Sequence, residues 1–333
     1  MIRLATIGTN WITQEFLQAA QPISNLVLTA VYSRTEEKAK EFAEKTGAKR
    51  IFTDLEEMAK SDEIDAVYIA SPNSLHAEQA ILLMNHGKHV LCEKPLASNV
   101  REVNAIIEAA QKNGVVFMEA MKTTLLPNFQ AIRKHLHKIG KVRRYFAAYC
   151  QYSSRYDAYK QGTILNAFNP AFSNGALMDL GIYCLYPMVV LFGKPQSLKA
   201  NSVMLESGVD GEGSIVLNYG DMDAVVMYSK ITNSYIPAEI QGEEGSIVID
   251  AIHTPTKVEI RYRDGRVEDI TEPQPQHPMY YEALEWVELI LNGKRQSETN
   301  SHTHSLITAE VMEEARKQTG LRFPADDQTT LCR

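Results

Sequence analysis

The sequence has few cysteines and no closely spaced pair of them. Four occur among 333 residues, and none forms a Cys-x-x-Cys pair, the usual signature of zinc ribbons and redox dithiols. They stand far apart, at Cys92, Cys150, Cys184 and Cys332. We therefore expect buried, unpaired thiols, no metal site, and a protein of the reducing cytoplasm.

Long apolar runs and an excess of positive charge are also missing. No stretch approaches the roughly 18 uninterrupted apolar residues of a membrane span, and the N-terminal MIRLATIG is too short for a secretory signal. The 34 basic and 41 acidic side chains leave a formal charge of −7, which disfavours binding to nucleic acid. We expect neither a membrane nor nucleic acid as a partner.

The length favours two domains. A single hydrophobic core usually stops growing at roughly 250–300 residues, and this chain has 333. Its 44% hydrophobic and 23% charged residues are those of an ordinary globular protein.

Short apolar runs alternate with helical segments in the first third of the chain. The predicted strands are 2–7, 27–33, 66–70, 89–92 and 115–118. The predicted helices are 35–47, 74–87 and 99–114, and each ends on glycine. This alternation predicts an α/β domain over residues 1–123, with a parallel sheet whose ligands bind beyond the carboxyl ends of the strands.

The pattern changes after about residue 123. Segments of alternating polarity predict strands within 142–153, 197–206, 212–219, 223–232, 238–250 and 257–263. Helical patterns follow at 175–192, 279–292 and 303–319. Residues 124–333 are therefore predicted to form an α+β domain with a mostly antiparallel sheet.

The turn after the first predicted strand carries part of a dinucleotide-binding fingerprint. Its residues are Gly8, Thr9, Asn10, Trp11, Ile12 and Thr13, and only the first glycine of G-x-G-x-x-G is present. Asn10 tolerates a positive φ, but its side chain would crowd a pyrophosphate, and Thr13 is larger than the usual Gly or Ala. The alternative is a plain turn between strand and helix.

The end of the second strand bears on which dinucleotide binds. Ser33, Arg34 and Lys38 stand where an acidic residue would select NAD by binding the ribose hydroxyls. The cations favour NADP, with NAD as the other possibility. The alternative is that Arg34 is a solvated residue at a helix start.

Five motifs along the chain resemble those of one enzyme family. They are Ser71-Pro72-Asn73-Ser74-Leu75-His76, Glu93-Lys94-Pro95, Glu119-Ala120, Asp179-x-Gly181-x-Tyr183 and Leu321-Arg322-Phe323-Pro324. In order and spacing the chain is similar to the glucose-fructose oxidoreductase, inositol dehydrogenase and rhizopine catabolism (Gfo/Idh/MocA) family. In detail it resembles the branch of dimeric dihydrodiol dehydrogenase and sugar dehydrogenases.

The resemblance implies a Rossmann domain, a C-terminal sheet often used for dimerisation, and NAD(P)-dependent oxidation of a hydroxyl or reduction of a carbonyl. The substrate would be a sugar, polyol or related cyclic alcohol, and the chain would form a homodimer or higher homo-oligomer. Lys94 would be the central catalytic residue, with Asp179 and Tyr183 beside it. The predicted cofactor contacts from these motifs are Ser71, Pro72, Asn73, His76, Glu93 and Lys94.

Elementary chemistry is consistent with these residue types. Hydride transfer at a carbinol carbon requires proton movement at its oxygen, which a lysine or a phenol can provide. Asp179 and Tyr183 are four residues apart and would share one helix face. The structural alternatives are a core tyrosine and a locally paired aspartate, and, for His76, a solvated position in a first helical turn rather than one near the nicotinamide.

Two residues depart from the dihydrodiol dehydrogenase branch, which usually has Trp and Arg where this chain has Lys122 and Thr124. Because those positions border the substrate in relatives, the substrate stays open. Two other functions also stay open, namely a non-catalytic dinucleotide-binding regulator and a glycoside hydrolase that uses bound nicotinamide transiently.

Overall fold

The computed structural model describes residues 1–328 and divides them into two compact units. The first unit comprises Met1–Lys122 and Gln276–His302, and the second comprises Thr123–Pro275 and Thr303–Gln328. The predicted division at 123/124 thus lies one residue from a unit boundary. It did not anticipate that 276–302 returns to the first unit. Cys332 lies outside the described residues.

A parallel sheet forms the centre of the first unit. Within residues 1–328, its strands are β1 Ile2–Ile7, β2 Leu26–Tyr32, β3 Arg50–Phe52, β4 Ala66–Ile69, β5 His89–Glu93 and β6 Phe117–Ala120. Their order is β3-β2-β1-β4-β5-β6, and every pairing is parallel. β4 is buried along its whole length, as expected of a strand with helices over both faces.

Helices connect these strands. They are α1 Trp11–Ala20, α2 Glu36–Thr46, α3 Leu55–Lys60, α4 His76–Asn85, α5 Val100–Asn113 and, from the returning segment, α9 Pro278–Leu291. Gly47 and Gly114 follow α2 and α5 in the left-handed conformation, which confirms the predicted helix ends. α9 packs against α1. The sequence did not predict β3 and α3, because they are only 3 and 6 residues long.

The second unit is built on a mixed sheet. Within the described chain its strands are β7 Val142–Cys150, β8 Ser197–Met204, β9 Asp210–Asn218, β10 Asp223–Ser229, β11 Ala238–Gly242, β12 Gly245–Ile249, β13 Val258–Tyr262 and β14 Val267–Asp269. Their order is β14-β13-β12-β11-β7-β10-β9-β8. Only the pairing of β7 with β10 is parallel, which confirms a mostly antiparallel sheet.

The helices of this unit are α6 Pro127–His135, α7 Ser154–Lys160, α8 Ile182–Phe192 and α10 His302–Thr319. A π-helical turn, Leu177–Gly181, leads into α8 and packs with it against the sheet. The segment Pro170–Phe192 is long and apolar enough to cross a membrane, with a mean hydropathy of 1.7 over an 18-residue stretch, but 72% of that stretch is buried in the protein, as in a core helix. Because the π-helical turn and α8 both contact β7 and β10, they cover one face of the sheet.

Strand β10 shows how the two sheet faces differ. Ala224, Val226 and Tyr228 are buried, whereas Val225 and Met227 alternate with them and stay half-exposed. Because successive side chains point to opposite faces, the Val225 side of the sheet is the open one.

Candidate active site

Carboxyl ends of four parallel strands carry the predicted cofactor residues of the first unit. Gly8 follows β1, Ser33 follows β2, Ser71 lies just beyond β4, and Glu93 ends β5. In a parallel sheet these ends lie along one edge, where the doubly wound fold places its ligands.

The β1–α1 turn requires its glycine. Gly8 has φ +106°, and a Cβ there would lie 2.6 Å from the carbonyl oxygen of Ala70. Any other residue would be strained by its backbone conformation and would collide with the β4 end. Gly8 therefore keeps the backbone close enough for a ligand to approach the turn.

Asn10 tolerates a positive φ but does not adopt one. Its φ is −90° and its ψ 179°, so it is an extended N-cap. Oδ1 accepts hydrogen bonds from the N–H groups of Ile12 and Thr13, at 3.1 and 3.3 Å, and Nδ2 donates to Ala70 O at 3.1 Å. The side chain of Asn10 thus ties the start of α1 to the end of β4. Thr9 and Ile12 are half-exposed beside it, and Trp11 is exposed.

At the end of β2, two cations have no ion-pair partner in the described chain. Ser33 donates its N–H to Phe52 O at 3.1 Å, and Arg34 and Lys38 are exposed. In contrast, Lys40 pairs with Glu36 at 2.7 Å. Glu36, the acid of α2 nearest to Arg34 in sequence, is therefore already neutralised by Lys40. The turn thus presents net positive charge, as a 2′-phosphate requires.

His76 joins the turn after β4 to the turn after β5. Its ring is fully buried, with Nε2 2.8 Å from Ser71 O and Nδ1 3.0 Å from Pro95 O. Burial lowers the pKa of this imidazole. The alternative of a solvated first-turn histidine is wrong. Its predicted cofactor role stays a prediction, and any such influence passes through the two turns that its ring contacts.

The remaining residues of these two turns are placed as follows. Ser71 donates its hydroxyl to Gln79 Oε1 at 2.6 Å, and Pro72 leads into the short helical turn Asn73–Leu75. Glu93 accepts a hydrogen bond of 2.5 Å from the buried hydroxyl of Tyr68. Lys94 follows Glu93 directly and is half-buried.

In the second unit, the predicted catalytic Asp179 has a partner that the sequence reasoning missed. Lys230 donates from Nζ to Asp179 Oδ2 at 2.8 Å and to Ala167 O at 3.1 Å. Lys230 is only 2% exposed, whereas the Asp179 side chain is 34% exposed. A lysine directly after the apolar β10 was the only signal for it. The Asp179 side chain is thus anchored by a buried cation while part of it stays exposed.

A second missed residue, Asp210, fixes the start of the segment that carries Asp179. Its carboxylate accepts hydrogen bonds from the N–H groups of Ala176 and Leu177 at 3.0 and 2.7 Å. Complete burial raises the pKa of Asp210 to about 6. Gly175, at φ +140°, lies so close that a Cβ would overlap Asp210 Oδ1.

Tyr183 lies one turn beyond Asp179, at the start of α8, and belongs to an aromatic cluster. Its ring meets Tyr149 edge-on with 5.6 Å between centroids, and Tyr149 stacks on His253 at 4.0 Å. His253, also missed from sequence, widens this cluster. Asp179 and Tyr183 therefore come from one continuous helical segment, and Lys94 belongs to the first unit.

The residues present fit a dinucleotide in three respects. Gly8 leaves room for a close approach to the backbone, Arg34 and Lys38 supply uncompensated charge, and α1 begins at the strand edge. Within residues 1–328, no group of three or more His, Cys, Asp or Glu side chains is arranged to hold a metal ion.

Comparison with known proteins gives matches over nearly the whole chain. Residues 2–121 match the model of an oxidoreductase family with an NAD-binding Rossmann fold, and residues 129–248 match the GFO/IDH/MocA C-terminal domain. The chain is 64% identical over 326 residues to the scyllo-inositol 2-dehydrogenase (NADP(+)) IolU of Bacillus subtilis, covering 98% of this chain and 99% of the relative.

More distant relatives show the same coverage. The trans-1,2-dihydrobenzene-1,2-diol dehydrogenase of Danio rerio is 32% identical over 344 residues, covering 98% of this chain and 99% of its own. Among solved structures, the aldose-aldose oxidoreductase of Caulobacter crescentus superposes with a TM-score of 0.85 at 22% identity, covering 96% and 97% of the two chains. At that identity the superposition shows a shared fold.

Proposed function

The chain belongs to the Gfo/Idh/MocA family of NAD(P)-dependent oxidoreductases that act on CH–OH groups, and on that premise we propose that it oxidises a ring hydroxyl of an inositol, scyllo-inositol in the first place, with NADP+. The observation that carries the substrate class is the 64% identity to an NADP-dependent scyllo-inositol 2-dehydrogenase along the full chain. The uncompensated charge of Arg34 and Lys38 independently supports the choice of NADP.

The first unit provides cofactor binding and one proton-transfer group. The turn at Gly8 would hold the pyrophosphate of the dinucleotide, and Arg34 with Lys38 would hold its 2′-phosphate. When bound, a nicotinamide cofactor would supply hydride-transfer chemistry at the carbinol carbon. Lys94 takes the proton from the hydroxyl oxygen during oxidation and returns it during reduction, so it acts as general base and general acid.

The second unit orients the polyol. Asp179 is anchored by Lys230 through one oxygen, and its 34% exposed side chain accepts a hydrogen bond from a substrate hydroxyl. Tyr183 adds a phenol from the same segment, and its ring is held in place by Tyr149. A ring bearing several hydroxyl groups suits such a set of charged and phenolic partners.

The test is NADPH formation by the purified protein with a panel of inositol isomers and aldoses. We expect scyllo-inositol to give the highest kcat/KM, and NADP+ to be preferred to NAD+. Lys94→Met should lower kcat by roughly 10²–10⁴-fold, because it removes the proton-transfer group, and should leave NADP(H) binding intact. The matched control is Lys194→Met, which removes an exposed lysine paired with Glu310.

Three results would contradict the proposal in different ways. Turnover of aldoses but of no inositol would mean that the substrate is a sugar and not an inositol. Glycoside cleavage without net NADPH formation would indicate the hydrolase alternative. NADP(H) binding without turnover of any panel member would favour the regulator.

We also infer that the chain is a cytoplasmic homodimer that pairs through the open face of the second-unit sheet. Val216 is 50% exposed on that face and lies in register with Val225 on β10. Cys92, Cys150 and Cys184 are all free thiols, consistent with a reducing compartment. Sedimentation should show a dimer at micromolar concentration, and Val216→Glu should convert it to a monomer. A monomeric wild type would contradict the interface.

A further inference from the structure

Glu282, on α9, carries a fully buried carboxyl group. Its side chain is 0% exposed, and within the described chain neither Oε1 nor Oε2 has a hydrogen-bond partner. An ionised carboxylate in such a place would lose its hydration without compensation. A group of this kind takes up a proton instead of remaining charged.

The neighbours of Glu282 come from three elements of the first unit. They are Tyr68 on β4, Glu93 at the end of β5, and Lys122 just beyond β6, and each interacts electrostatically with Glu282. On α1, which packs against α9, Glu15 is engaged elsewhere, with His277 at 3.1 Å. Burial raises the pKa of Glu93, whereas the hydrogen bond that it accepts from Tyr68 and the charge of Lys94 favour its ionised form over that of Glu282, which has no such donor in the part of the chain that the structure describes.

The charges around the pair favour one proton on Glu282. Glu93 repels a second negative charge, and Lys122, the cation that opposes this effect, makes no ion pair with either acid among residues 1–328. Burial and the charge of Glu93 together raise the pKa of Glu282 well above its ordinary value.

We propose that Glu282 carries a proton in the native enzyme, and that Glu93 and Glu282 together hold one proton and one negative charge beside Lys94. The location of the proton does not depend on the proposed function. The consequence for catalysis does rest on it: a second negative charge would hold the proton on Lys94 more tightly, so a neutral Glu282 lets Lys94 act as a base at lower pH. Glu282 is thus a positioning residue that sets the charge next to the catalytic lysine.

Infrared difference spectroscopy locates the proton directly. At pH 7 the wild type should show the C=O stretch of a protonated carboxyl group, and Glu282→Gln should lose it. The matched control is Glu288→Gln, because Glu288 lies on the same helix and is exposed; it should keep the band. If Glu282→Gln leaves the band unchanged, the proton is not on Glu282.

The coupling to Glu93 has its own readout. Glu93→Gln removes the repelling charge and keeps an acceptor for Tyr68, so the carboxyl band should disappear at a pH lower by about one unit than in the wild type. An unchanged midpoint would mean that Glu282 is an isolated buried acid with no link to the motif that contains Lys94.

The pH dependence of unfolding checks the sign. A folded-state pKa above the unfolded value of 4.5 makes the wild type lose stability as the pH rises from 4.5 toward the folded-state pKa. Relative to Glu282→Gln, its unfolding equilibrium constant should therefore rise about tenfold per pH unit over that window. The opposite slope would mean that Glu282 is ionised and stabilised by Lys122.

The final measurement is the pH profile of kcat/KM for NADP-dependent oxidation. In Glu282→Gln, which cannot acquire the second charge, the rise of kcat/KM with pH should be complete at lower pH than in the wild type. Coincident profiles would overturn the effect on Lys94 and leave the proton assignment standing. Absence of turnover in the wild type would overturn the proposed function, while the spectroscopic and unfolding measurements would still decide the state of Glu282.

Discussion

Replacing Lys230 by methionine separates the charge of this lysine from its packing. Methionine fills a similar apolar volume but removes the ammonium group that lies 2.8 Å from Asp179 Oδ2. A charge-assisted hydrogen bond contributes about 1.5–3 kcal/mol, which corresponds to roughly 10–150-fold in rate if it holds Asp179 in its productive position. We expect kcat/KM for the polyol to fall within that range.

The fold should tolerate this change. Burying an ammonium group costs several kcal/mol, and removing it recovers that cost, which offsets the loss of a donor to Ala167 O at 3.1 Å. Asp179, with its side chain 34% exposed, can be hydrated instead of remaining buried and unpaired. We therefore expect the stability to change by less than about 2 kcal/mol.

Steady-state kinetics and cofactor titration together test the assignment. Affinity for NADP(H) should not change, because the predicted cofactor residues belong to the other unit. In a double-mutant cycle, Lys230→Met should add little to Asp179→Ala, since both remove the same interaction. If kcat/KM of Lys230→Met stays within about threefold of the wild type, the lysine serves the fold and not the position of Asp179.

Three further predictions follow from single contacts. Arg34→Ala should weaken NADP(H) by about 10–150-fold and leave NAD(H) almost unchanged in titrations at fixed ionic strength, with Lys194→Ala as the control because Lys194 is an exposed lysine of the second unit; equal wild-type affinity for the two cofactors would return Arg34 to a solvated role. Burial raises the pKa of Asp210 from 3.8 to about 6, so the free energy of unfolding of the wild type should fall by about 3 kcal/mol as the pH rises between those values. In urea unfolding, the stability of Asp210→Asn relative to the wild type should therefore increase over that pH range and stay constant above it. Parallel pH dependences of the two proteins would contradict the burial of a titrating carboxyl group. Tyr183→Phe should lower kcat without lowering the urea midpoint, because the ring and its contact with Tyr149 remain, and an unchanged kcat would make Tyr183 a packing residue.

The sheets were predictable from sequence because each is encoded by neighbouring residues. β4 is a run of apolar residues since both of its faces are covered, and β13 (VEIRY) alternates in polarity since only one of its faces is. The helix-ending glycines are equally local signals. The return of 276–302 to the first unit was not predictable, because the apolar face of α9 does not specify which surface it will cover.

The missed site residues share a different cause. Lys230 and Asp179 are 51 residues apart, and Asp210 lies 33 residues from the N–H group of Leu177 that it binds. Glu282 is a charged residue on a helix, and such residues are rarely buried. In each case the chemistry arises from a long-range contact that no local pattern records.

The turn at Gly8 shows how a fingerprint with one glycine can still discriminate between cofactors. Asn10 already satisfies the N–H groups of Ile12 and Thr13, so an incoming pyrophosphate gains less from the start of α1 than it would from uncapped donors, by about the 0.5–2 kcal/mol of an N-cap. Both NAD and NADP carry a pyrophosphate, so this loss weakens them equally. Of the two cofactors, only NADP has a 2′-phosphate to reach the charge of Arg34, and the roughly 1.5–3 kcal/mol expected there begins within the range of the cap and extends above it. Because this shared loss cancels when the two cofactors are compared, the choice between them is set at the end of β2.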